Sequence, residues 1–353
     1  MNSIPLSLLD NIRISNGPDS LKNYFGELYH TNRSRLVELL NDPHLHFYTL
    51  FLLKSGIYAH GLQENLGPIY KRALQIADML SETIDDQVQR RNAAERRTKI
   101  RKDLRAEAES VPSALKWIVE TGWDTDMPED KYELLLERCT AMLIREFRDR
   151  SVLPQIADII FSRNRSGLLI HNLVWLFFEA KDPGSLYLLA QRLGSASAAD
   201  VSLAKKLLRF IPEIRSDKSD SSTGEAAATD TPVSGPALYY RAVRWLSENM
   251  PYLYFTGESM QMCTKPLFCQ VSLEAKYLGR PVSPDTGRIQ APLRDSEAGL
   301  LEDFRRLTKA QQQQMADFSR MLGSRDIYQW NSWIGLPFSR QLEAVSLMTG
   351  GSE

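Results

Sequence analysis

Histidines, cysteines, serine–lysine pairs and a run of arginines are the side chains here whose types and spacing could do chemistry. Four of the five histidines fall early, at His30, His44, His46 and His60. Imidazole is a common metal ligand and titrates near neutrality. His44 and His46 are two apart, which on a helix turns them to different faces. No cysteine and no ordered acidic pattern joins them, so surface or cap histidines are expected rather than a metal site. His171 lies inside an apolar run and is expected as a core residue hydrogen-bonded to a backbone carbonyl. Ser113-x-x-Lys116 and Ser202-x-x-Lys205 have the spacing of a serine–lysine pair, but so short a pattern arises by chance in 353 residues. The companion motifs of penicillin-recognising enzymes are absent. Cys263-x5-Cys269 has neither zinc-ribbon nor redox spacing, so a free, partly buried thiol pair is expected. No glycine-rich phosphate loop, dinucleotide fingerprint, nucleophile elbow or zincin helix occurs. The sequence therefore points to no catalytic residue, no cofactor and no metal.

The strongest surface signal is cationic. Arg90, Arg91, Arg96, Arg97, Lys99, Arg101, Lys102 and Arg105 crowd one stretch, against Glu95 and Asp103. A phosphate backbone would need these cations on one helical face. Here they are spread around, and Arg91–Glu95, Glu95–Lys99 and Lys99–Asp103 are opposite-charge pairs four apart. No aromatic residue lies between Leu80 and Trp117 to stack on a base. A solvated, self-paired helix is the plain reading; docking to an acidic protein or to RNA is the other.

The elements that must position these groups read as helices. A content of 43% apolar and 25% charged residues with net charge −1 is that of a globular protein without a general attraction to nucleic acid or anionic lipid. Three cysteines, Cys139, Cys263 and Cys269, are too few for a disulfide framework and suit a reducing compartment. No basic n-region opens the chain and no long apolar run follows, so a cytoplasmic protein without a membrane span is expected.

Residues 1–110 read as an N-terminal helical region ending in the long basic helix. Leu21, Tyr24, Phe25 and Leu28 share one face, and Leu36, Leu39 and Leu40 another. A helix over 69–109 carries Ile69, Ala73, Ile76, Leu80, Ile84 and Val88 on one side, and Val111-Pro112 interrupts it. Residues 111–215 read as a helical core. Asp126-x-x-Glu129 resembles a capping box, and Tyr132, Leu135, Leu136, Cys139, Leu143 and Phe147 face inward behind it. The run 168–178 is almost without polar relief and too short for the ~20 residues of a membrane span. It is expected as a fully buried helix and the stability centre, with Trp175 and Phe178 near one face. Asp182-Pro183 opens the next helix and Gly194 suits its C′ position. A helix over 198–211 stops at Pro212.

Hairpin starts near Lys131 and Leu168 lie 37 positions apart, close to the period of HEAT and armadillo repeats. The segment 126–211 resembles such a helical repeat, without its consensus; an irregular bundle is the alternative. Residues 216–236 are rich in Ser, Thr, Ala, Asp, Gly and Pro and read as a flexible linker. Residues 237–353 form a smaller, aromatic-rich, mostly helical C-terminal region. There 252–255 suits a short strand, 267–273 fits helix or strand with helix preferred, and 300–322 reads as one helix.

The expected fold is mainly α: helical hairpins packed as an irregular bundle or short HEAT-like stack, plus the aromatic-rich C-terminal region. The expected function is a non-enzymatic scaffold or adaptor subunit that binds other protein subunits. A nucleic-acid-associated factor using 90–105, and an enzyme with its pocket in 239–280, are the alternatives. Limited proteolysis should cut first between Ser216 and Pro236 and leave two protected fragments; early cleavage within 130–210 would contradict this division.

Overall fold

The structure, a computed structural model, describes residues 5–85, 110–123, 130–215 and 235–349. The chain is mainly α, with seventeen α-helices and one two-stranded sheet among the described residues. It divides into two compact units, residues 1–159 and 160–353.

The first unit holds α1 (Leu8–Thr31), α2 (Arg33–Leu40), α3 (Phe47–Ala59), α4 (Pro68–Asp85), α5 (Val111–Gly122) and α6 (Asp130–Arg145). The division falls inside α7 (Leu153–Arg165). α1 bends at Gly17, whose φ of 86° lies in the left-handed region, and Pro18 follows without a backbone donor. A capping box between Ser7 and Asp10 opens α1. The Asp10 carboxylate also accepts from the backbone N–H of His46 and the hydroxyl of Thr49. Arg13 Nε donates to the same hydroxyl at 2.8 Å. One buried carboxylate thus ties the start of α1 to the start of α3. Gly122 permits the close packing of α5 on α6, since a Cβ there would lie 2.6 Å from the Leu136 side chain.

The apolar spacing of residues 1–80 places Leu21, Phe25, Leu36, Leu39 and Leu40 in the core, as expected. One expectation needs correction. Ile69 is 44% exposed, because α4 turns Ala73, Leu74, Ile76, Ala77 and Leu80 inward instead. Residues 86–109 of the helix expected over 69–109 lie outside the described residues, and Val111-Pro112 opens α5, since proline loses nothing in a helix's first turn. α5 packs on α3, α4 and α6, all within the first unit. The capping pattern at Asp126–Glu129 lies outside the described residues.

The second unit continues with α8 (His171–Glu179), α9 (Leu186–Gln191), α10 (Ala198–Leu207), α11 (Pro212–Arg215) and α12 (Gly235–Asn249). The apolar run does not form one fully buried helix. Gly167 has φ 76°, Leu168 is 61% exposed, and α8 begins only at His171. His171 and Asn172 are exposed and Trp175 is half-buried, so His171 is not a core residue. Leu173, Val174, Leu176, Phe177 and Phe178 do face inward. Phe178 stacks on Phe268 with ring centroids 3.9 Å apart and planes within 4°. Gly194 does not adopt a left-handed cap; residues 192–194 close in a 3₁₀ turn. Pro212 does not simply stop a helix but starts α11. Helices of 16, 13, 9, 6 and 10 residues from α6 to α10 have no common length.

Residues 216–234 of the expected linker lie outside the described residues, while Gly235 and Pro236 open α12. β1 (Leu253–Phe255) pairs antiparallel with β2 (Cys269–Val271), in the register Leu253↔Val271 and Phe255↔Cys269. This corrects the helix preferred for 267–273. The alternation there is a strand signal, and a partner strand decides it. α13 (Leu273–Leu278) follows, capped by Ser272 and ended by Gly279 at φ 63°. The single helix expected over 300–322 is two, α14 (Asp295–Arg305) and α15 (Lys309–Arg325). The capping box of Thr308 with Gln311 separates them. α16 (Ile327–Ile334) and α17 (Phe338–Thr349) complete the unit. Tyr277, Phe304, Met315 and Trp333 form its core, where Tyr277 donates to Gln341 at 2.6 Å.

No described helix is long and apolar enough to cross a membrane. The Asp10 network makes a stability prediction. Asp10→Ala orphans several buried donors, each costing about 1–3 kcal/mol, whereas Asp10→Asn keeps an acceptor. Thermal unfolding should show a clear fall in midpoint for the alanine variant and a smaller one for asparagine. Equal midpoints for all three proteins would leave the network without energetic weight.

Candidate functional site

The second unit carries an open cleft of about 910 Å³. Four stretches build it: Phe210, after α10, with α11, the C-terminal half of α12, β2 with α13, and one face of α15. The α15 face is legible as a pattern. Lys309, Gln313, Asp317, Arg320, Met321 and Ser324 recur three or four apart and form a mostly polar stripe toward the cleft.

Lys276 is the anchor. It sits in a helix of otherwise largely apolar residues, and its side chain is only 6% exposed. Its ammonium donates to Asn249 Oδ1 at 2.7 Å and to Asp317 Oδ1 at 2.6 Å. Asn249 Nδ2 in turn donates to the Trp245 carbonyl at 2.8 Å. The ammonium therefore joins α13 to α12 and to α15, and the two walls of the cleft share one buried charge. Phe210 packs beside Trp245, with ring centroids 5.9 Å apart and planes tilted by 58°.

Six cationic side chains line the cleft, Arg215, Arg244, Lys276, Lys309, Arg320 and Arg325, against the carboxylates Glu213, Glu248 and Asp317. The surplus is three positive charges in a chain of net charge −1. Arg244 pairs with Glu248 at 3.0 Å, and Arg320 Nε donates to the Glu248 carbonyl at 3.1 Å. Asp317 holds Lys276 and accepts from Gln313. Arg215, Lys309 and Arg325 are exposed, and their side chains make no hydrogen bond or ion pair among the described residues.

The chemistry available is recognition of negative charge. No histidine lines the cleft. Cys269 lies in its wall fully buried, and burial pushes its thiol well above the ordinary range, which keeps it a thiol rather than a nucleophilic thiolate. Among the described residues no group of three or more metal-ligating side chains occurs.

The groups singled out from sequence are not brought together here. The cationic stretch Arg90–Arg105 lies outside the described residues. His60 stacks on Tyr29 at 3.8 Å, with His30 edge-on nearby, and His44 is exposed. Ser113 and Ser202 are exposed, and Lys116 faces Glu120 at 3.8 Å rather than its serine. All three cysteines are free. The aromatic stretch 239–280 supplies Trp245, Cys269 and Lys276, but much of the cleft comes from 210–215 and 309–325. Sequence reading missed the cleft because its residues are distant in the chain. Its signals were the polar spacing along 309–325 and a lysine among the apolar residues Ala275, Tyr277 and Leu278.

The anchor responds unequally to losing its partners. Asp317 is 52% exposed, so its charge can be solvated if Lys276 is removed. Lys276→Met then costs mainly the orphaned Asn249 carbonyl, about 1–3 kcal/mol. Asp317→Ala strands a buried cation, a loss of about 3–5 kcal/mol. Thermal unfolding should rank Asp317→Ala as the less stable; the reverse order would remove Lys276 as the anchor.

No model of a protein family, no curated protein and no solved structure matches the chain.

Proposed function

We propose that this protein is a non-enzymatic interaction subunit, a scaffold or adaptor of a larger cytoplasmic assembly, and that the cleft of its second unit is a docking surface for another protein. One observation carries the reading: the cleft is large, open and polar, with its charges already paired or exposed rather than converging on a reacting atom. An enclosed apolar pocket with a few convergent polar groups would have favoured a small-molecule site. The unequal helices of residues 126–211 fit an irregular bundle better than a short HEAT-like stack.

Blocking the cleft tests the proposal. Ser324 is exposed in its wall, and among the described residues its hydroxyl bonds only to the Met321 carbonyl of its own helix. Affinity capture with the full chain should recover a defined set of proteins, and Ser324→Trp should lose them while its melting stays unchanged. Identical recovery with the cleft blocked would remove the cleft as the docking surface. Glutamine at Arg96, Arg97, Arg101 and Lys102 tests the other cationic surface in parallel.

A further inference from the structure

We infer that the cleft takes an acidic polypeptide segment in extended conformation. The inference rests on the cleft being a docking surface and names the chemistry of what docks.

The first support is which charges are left over. Glu248 and Asp317 are held by Arg244 and Lys276, and Glu213 is not without an interaction. The side chains of Arg215, Lys309 and Arg325 have no partner among the described residues. The unspent charge of the cleft is therefore positive, and an acidic ligand complements it.

The second support is their spacing. Lys309 is the first residue of α15 and Arg325 the last of its 17 residues. At 1.5 Å per residue their backbones lie about 24 Å apart along the helix. No single phosphate or small dicarboxylate touches both. An extended peptide advances about 3.3 Å per residue, so roughly seven residues span the distance. Between the ends, the polar stripe of Gln313, Arg320 and Ser324 offers hydrogen-bonding side chains.

A single-stranded nucleic acid is also extended and anionic, but it is held by stacking bases on aromatic faces. Phe210 and Trp245 are the aromatic residues lining the cleft, and they pack against each other. That leaves carboxylate recognition by arginine and lysine as the interaction this surface supports.

The test uses the full chain and a fluorescently labelled oligoglutamate of eight residues, read by anisotropy at low ionic strength. Binding is expected, and it should weaken as salt rises. Combined glutamine substitution of Arg215, Lys309 and Arg325, all exposed, should weaken it about tenfold or more. Diglutamate at matched carboxylate concentration should compete poorly. A variant with glutamate at the same three positions should reject oligoglutamate and bind an octalysine instead. This reciprocal arm keeps the test meaningful if neutralisation disturbs the fold. The inference is overturned if oligoglutamate does not bind, if the glutamine variant binds it unchanged, if diglutamate competes equally, or if oligothymidylate binds more tightly at the same site. Suppose captured proteins are lost by Ser324→Trp but kept by the glutamine variant. Then the cleft docks a partner whose chemistry is not acidic. If neither variant changes the capture, the docking reading itself fails.

Discussion

A single ammonium, that of Lys276, is the constraint on which the second unit's cleft depends. A lysine at 6% side-chain exposure is tolerable only when its charge is met in place. Two acceptors meet it, one from α12 and one from α15, so both helices are fixed against α13. α13 packs chiefly on α15, which brings the polar stripe of α15 to the cleft. The same arrangement occupies Asp317, so the carboxylate nearest the centre of that stripe does not cancel the cations at its two ends.

The first unit solves a similar problem with the opposite sign. Asp10 is fully buried and surrounded by donors from Ser7, His46 and Thr49. Arg13 reaches the same hydroxyl and lies over the Tyr48 ring at 4.8 Å. In each unit a buried charge sets the relation of helices that apolar packing alone would leave free to slide, because hydrogen bonds are directional and apolar contact is not. The two differ in use. Asp10 is enclosed by its donors, whereas Lys276 stands at the wall of an open surface.

Local charge here departs from global charge. A chain of net charge −1 has no long-range pull on acidic partners, yet its cleft carries a surplus of three positive charges. Such a distribution favours selectivity over sheer attraction. Under the proposed docking, Lys309 and Arg325 would present their cations at the spacing set by one helix, and a ligand with charges at another spacing would gain little.

Much of the architecture was legible in the sequence, for reasons specific to each element. Leu36, Leu39 and Leu40 declare a buried helical face, because the 3.6-residue period fixes which side chains coincide. Asp182-Pro183 marks the start of an element through backbone preferences that act locally. The strand at 269–271 was ambiguous, since its alternation has meaning only once Leu253–Phe255 lies beside it. The run 168–178 misled because apolar content does not say where a helix begins; Gly167 and the exposed Leu168 delay it. The cleft was not legible as a site. Phe210, Trp245, Lys276 and Asp317 are separated by tens of residues, and no local rule brings them together. Sequence by itself determined a mainly helical chain, since helix signals span only a few neighbouring residues. Tertiary structure alone decided that a buried lysine would find its partners on two other helices and that, among the described residues, three cations along a groove would have none, since burial and charge pairing are set by residues far apart in the chain.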